Sequence, residues 1–115
     1  MNSSYENTFA TYQFIEGNLH LTYKRGVDID LIAAKKIVYD RIKFQQDVEY
    51  PVVCDIRKIN SVTKAARDYL TLEGLILISA LAIYVKPGRT SLMVKLHFRA
   101  NKPRIPIFTI NYCSR

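Results

Sequence analysis

No aspartate or glutamate follows Glu73, although seven of the chain's seventeen lysines and arginines lie beyond it. Residues 1–73 hold ten side chains of each sign and cancel, so the whole net charge of +7 belongs to the stretch after Glu73. Cysteine is scarce: Cys54 and Cys113 stand far apart with no partner pattern, which excludes a disulfide framework and points to a reducing compartment. The polar start, MNSSYENT, has no apolar signal region, so a cytoplasmic location and fraying over residues 1–7 are expected. Long apolar runs are missing as well. The most apolar stretch, Leu75 to Val85 (LILISALAIYV), has eleven residues where a spanning helix needs roughly 20, so it reads as a buried strand. His20 and His97 have no ligand partners nearby, and two distant cysteines make no tetrahedral set, so no metal is expected. Neither a nucleophile in a catalytic setting nor a cofactor motif appears, so the chain reads as a non-enzyme without a cofactor.

What is present is an ordinary globular composition: 115 residues, 49% apolar and 23% charged, enough for one domain spanning 1–115. TFATYQFI alternates as a half-buried strand does, Glu16-Gly17-Asn18 makes a tight turn, and LHLTYK returns, which predicts a hairpin. VDIDLIAAKKIVYDRIKFQQ is a helix capped by Asp28 or Asp30, with Leu31, Ala34, Ile37, Val38 and Ile42 inward and Lys35, Lys36, Asp40 and Lys43 outward. PVVCDI reads as a buried strand, and Thr63 caps a helix over KAARDYLTL. A strand over Ala80 to Val85 ends at Pro87-Gly88, where Thr90 or Ser91 opens a helix over SLMVKLHFRAN. Leu92 and Leu96, with Phe98 or Met93, are its expected inward side chains. Pro103 stops it, and IPIFTINY forms the last strand. Ser114 is placed to cap a further helix, expected beyond Arg115. This order predicts an α/β fold with one mixed five-stranded sheet, an N-terminal hairpin followed by parallel strands, and helices packed against it.

VVCDIRKINSVTKAARDYL followed by ALAIYVKPGRTSLMVKLHFRANKPRIPIF resembles the SpoIIAA-like proteins of the STAS type, nearest to small uncharacterised bacterial members, from about Thr8 onward. The resemblance implies a single SpoIIAA-like domain. Members of that group antagonise anti-sigma factors or form cytoplasmic domains of anion transporters, and the wider fold extends to lipid carriers. Asp55 matches the Asp of the strand that precedes the phosphorylated helix in the sigma-regulating members. The phosphorylated position itself falls near Lys64 and Ala65, without a DSSG motif, and Ser61 and Thr63 are only neighbouring hydroxyls.

Chemistry concentrates in KPGRTSLMVKLHFRANKPRIP, residues 86–106, which holds six basic residues and no carboxylate. Lys95, Arg99 and Lys102, spaced four and three apart, share a helix face. Arg89, Thr90 and Ser91 accompany the free N–H groups of the helix start, so Arg89, Thr90, Ser91, Lys95 and Arg99 form a candidate anion site. The loop bearing Arg57, Lys58, Ser61 and Thr63 is the candidate extension of that surface. The chain is accordingly expected to act as a regulatory or protein-interaction module that meets an acidic or phosphorylated partner. The alternative is a carrier or membrane-surface binder of an anionic amphiphile, such as a lipid or another small anion, with its apolar part in a strand–helix cleft. No helix-turn-helix, RNP or zinc pattern supports nucleic-acid binding, and residues 1–73 are neutral. Cys54, inside an apolar strand, is expected to be inert, and Asp55 to bond loop backbone. Tyr5, Phe9 and Tyr12 on the first strand are expected to mark an edge where a homodimer forms.

Overall fold

The structure, a computed structural model, describes residues 3–111 apart from the side chains of Arg89 and Asn101. Cys113, Ser114 and the expectation of a helix past Arg115 lie outside the described residues. The hairpin forms as anticipated: β2 (Ala10–Ile15) and β3 (Asn18–Tyr23) pair antiparallel, with Gly17 at φ +83° in the turn, where a side chain would be strained. The parallel strands β5 (Tyr50–Asp55), β7 (Ile78–Val85) and β8 (Ile107–Asn111) follow. The helices are α1 (Leu31–Gln45), α2 (Lys64–Leu72) and α3 (Arg89–Asn101). Two short strands, β4 (Asp28–Ile29) and β6 (Ser61–Val62), pair with each other beside the main sheet.

A sixth strand widens the main sheet. β1 (Ser4–Glu6) pairs antiparallel with β2 in the segment expected to fray, giving the order β1-β2-β3-β5-β7-β8. Asn7 supplies the reason. Its carboxamide oxygen accepts from the Phe9 and Ala10 amides at 2.8 and 2.9 Å, closing the turn. Its nitrogen donates to Tyr12 Oη at 3.2 Å and to Asp40 Oδ2 at 2.8 Å on α1. Asp40, expected outward, is therefore buried beneath this turn, with Lys36 3.2 Å away. Tyr12 is wholly buried, its hydroxyl donating to the Ile37 carbonyl, and Tyr5 packs near the rings of Tyr12 and Phe44. Tyr5 and Tyr12 thus pin β1 and β2 to α1, and β1, with Tyr5 43% exposed, is an outer strand of the sheet.

From β3 to β8 each parallel strand adds on the same side of its predecessor, and the three helices pack on one face of the sheet. That face buries Leu19, Leu21, Val52, Leu81, Ile83 and Val85. The register slips between Tyr50 and Pro51 against β7, so Ser79 has no partner. On the opposite face Phe108 is 59% exposed, and Thr11, Gln13 and Ile15 are open to solvent. The caps agree with the sequence: Asp30 accepts from the Ala33 amide at 2.8 Å and Thr63 from the Ala66 amide at 3.1 Å. Asp28 instead accepts from Ser61 Oγ and Asn60 Nδ2 at 2.6 and 2.7 Å, tying the start of α1 to the loop before α2. No helix among the described residues is long and apolar enough to cross a membrane.

Candidate functional site

Arg57–Thr63 is a wired loop. Asp55, at the end of β5, accepts from the Arg57 amide at 3.0 Å and grips the guanidinium in a fork, Nε at 2.9 Å and NH2 at 2.7 Å. The Arg57 hydrogen bonds hold the Asp55 carboxyl below its usual range, and the guanidinium lies 5.6 Å from the Tyr84 ring centre. Ser61 is bonded to Asp28, and Thr63 caps α2. Lys58, Ser61 and Thr63 are exposed, and of the four loop residues singled out from sequence Lys58 alone makes no side-chain hydrogen bond or ion pair among the described residues.

The proposed anion site at the start of α3 is divided by the geometry. Gly88 occupies the cap position and offers no side chain, and Arg89 is the first helical residue. Ser91 is buried, its hydroxyl donating to Asn111 Oδ1 on β8 at 2.6 Å, so it faces away from any ligand at the helix end. Thr90 lines the side of α3 that looks toward α2. Lys95 and Arg99 line the other side, a groove with Pro103, Ile105 and Ile107. Thr90, Ser91 and the pair Lys95 and Arg99 therefore do not converge on one point.

The rotation of α3 follows from the same contacts. Ser91 is buried and Val94 and Phe98 pack on the core, reversing the expectation for Leu92 and Leu96. Leu92, Met93 and Leu96 are 57%, 51% and 50% exposed. A helix whose outer surface carries three large apolar side chains among Lys95, Arg99 and Lys102 is unusual for a solvated face.

Between α2 and α3 the sheet is incompletely covered. α2 packs against α1 while α3 sits over β8. The cleft left between them, about 640 Å³, has Val52, Leu81 and Ile83 on its floor and Leu70 and Val94 on its walls. Thr71 Oγ1 and His97 Nε2, 3.1 Å apart, share the hydrogen bond that links the two helices. Among the described residues no carboxylate lines the cleft. Cys54 lines it from β5, and burial pushes its thiol up to about 12. His20 sits on β3 with its neighbours Leu19 and Leu21 pointing to the other face, so the two histidines belong to opposite sides of the sheet.

Sequence reasoning missed Arg41. Only 2% exposed, it donates NH2 to the carbonyls of Gly74 and Ile76 at 3.0 and 2.8 Å and NH1 to Gln45 Oε1. Desolvation depresses its pKa. The three-residue 3-10 turn Glu73–Leu75 after α2 is held by this guanidinium, which in turn shapes the inner end of the cleft. Within α1, Arg41 and Gln45 are one turn apart on the side that also carries Ile37 and Val38, which a hydrophobicity pattern alone does not pick out.

The fold matches a solved structure. The crystal structure of an uncharacterized protein from the DUF3478 family with a SpoIIAA-like fold, from Shewanella loihica PV-4, superposes with a TM-score of 0.63 at 8% identity. The match covers 94% of this chain and 91% of that one. At such identity the likeness concerns the fold, and it agrees with the resemblance seen in VVCDIRKINSVTKAARDYL. No curated protein matches the chain. Residues 12–112 match the domain of unknown function DUF7793, and the chain belongs to that family, on a SpoIIAA-like α/β fold.

Proposed function

We propose that the protein is a non-catalytic, cytoplasmic interaction module of STAS-like type, and that the outer face of α3 docks an acidic protein partner. One observation carries this reading: Leu92, Met93 and Leu96 are half or more exposed on a helix that also presents Lys95 and Arg99. Fully burying such a side chain contributes about 1.5–3 kcal/mol, so covering the exposed halves of all three offers roughly 2–4 kcal/mol. The cations add orientation and association rate, both sensitive to salt. With no carboxylate after Glu73, a second copy would bring like charges together on this face, whereas an acidic segment or a phosphorylated one complements it. Nucleic acid is disfavoured because the rest of the chain is neutral and the face is apolar at its centre.

The test is titration with a synthetic amphipathic peptide of glutamate and leucine at helical spacing, at low and raised salt. The expected result is saturable binding that weakens with salt. It should be lost in Leu92→Ser/Leu96→Ser and, separately, in Lys95→Glu/Arg99→Glu. Binding that survives both pairs of substitutions counts against α3 as the docking face.

A further inference from the structure

We propose that the cleft between α2 and α3 is a second site that binds an amphiphilic anion, with the apolar body on the sheet and the anionic group on Arg67. The volume, about 640 Å³, falls inside the range of roughly 300–1,000 Å³ in which small-molecule sites lie. Its floor and walls are apolar, as a ligand with a hydrocarbon or aromatic body requires.

Charge selects the other end of the ligand. Arg67 lines the cleft half-buried, and its guanidinium makes no hydrogen bond or ion pair among the described residues. Its neighbour Asp68 is already paired with Lys64 at 2.8 Å. The second arginine of the lining, Arg41, differs in being engaged with the carbonyls of Gly74 and Ile76. A partly desolvated cation beside apolar walls and without a carboxylate in the lining is completed by an anion from outside. Asn60 and Ser61, at the same cleft, are held by Asp28 and do not compete for it. Met93 and Leu96 belong both to the cleft lining and to the exposed face of α3, so occupation of the cleft bears directly on that face.

The full chain is titrated with decanoate, 1-decanol and decyltrimethylammonium, each below its aggregation concentration, by calorimetry and thermal shift. Decanoate is expected to bind saturably, at least tenfold more tightly than 1-decanol, and the ammonium compound weakest of the three. Arg67→Gln should reduce decanoate to the level of 1-decanol and leave 1-decanol unchanged, while Arg104→Gln, at an exposed position outside the cleft, alters neither. Val94→Trp, which fills the cleft, should abolish both; far-UV circular dichroism checks its folding, and Arg67→Gln decides the matter if that variant does not fold. Failure of all three compounds to bind overturns the site. Equal binding of decanoate and 1-decanol, indifferent to Arg67→Gln, overturns the anionic class and the role of Arg67.

Discussion

Replacing Asn7 by alanine should unfasten the first strand from the first helix. Four hydrogen bonds disappear: two from the Phe9 and Ala10 amides, one to Tyr12 Oη and one to the Asp40 carboxylate. Ordinary bonds contribute about 0.5–1.5 kcal/mol net and those to charged groups about 1.5–3, and the lower ends of these ranges set the least loss. Asp40, 6% exposed, keeps Lys36 as its partner yet loses its shortest contact. The sum is roughly 3 kcal/mol, which lowers the melting temperature of a domain this size by about 10–20 °C. Urea unfolding followed by circular dichroism measures it. Asn7→Asp separates the staple from mere local propensity. It keeps the turn acceptor but sets a second carboxylate against Asp40, so its deficit at neutral pH should shrink as the pH falls and one of the two protonates. A loss below about 0.5 kcal/mol for Asn7→Ala, on the scale of an ordinary surface substitution, would refute the reasoning.

Three further outcomes follow from the site. The Arg57 contacts lower the Asp55 pKa below its ordinary 3.8, so the stability they contribute is complete above that value and lost as pH falls through the lowered folded value. Arg57→Gln should remove roughly 2 kcal/mol at neutral pH and flatten the acid limb of the stability profile, measured by urea midpoints across pH. The Cys54 thiol, raised to about 12, should react with a disulfide reagent at neutral pH far more slowly than an unperturbed thiol, tracked against the denatured protein as reference. Thr63→Ala should cost about 1 kcal/mol by loss of the α2 cap, and Thr63→Ser should restore most of it in the same unfolding assay.

Much of the scaffold was legible because local rules and tertiary demands coincide there. The Gly17 turn, the caps at Asp30 and Thr63, and the stop at Pro103 each answer to a single local need, and the alternation of later elements dictated the parallel sheet. The first strand was not legible, because Asn7 acts through Asp40, thirty-three residues away, and a polar segment carries no sign of such a partner. The rotation of α3 was hidden for a different reason. Leu92 with Leu96, and Val94 with Phe98, are both spaced by four, so each pair satisfies helical periodicity equally well. What selects between them is Ser91, whose bond to Asn111 turns that side of the helix toward β8. The same rotation divides the candidate anion residues, sending Thr90 and Lys95 to opposite flanks of α3. Arg67, unremarkable in a polar helix face, acquires meaning only from the cleft beside it.

Which side of α3 meets water is measured most directly by denaturant unfolding of two double variants. Leu92→Ser/Leu96→Ser, at positions half or more exposed, is predicted to lose only about 1–2 kcal/mol of unfolding free energy. Val94→Ser/Phe98→Ser, which strips the core-facing side, is predicted to lose about 3 kcal/mol or more. The reverse order, with the leucine pair costly and the Val94/Phe98 pair tolerated, would contradict the exposed apolar face and the docking role built on it.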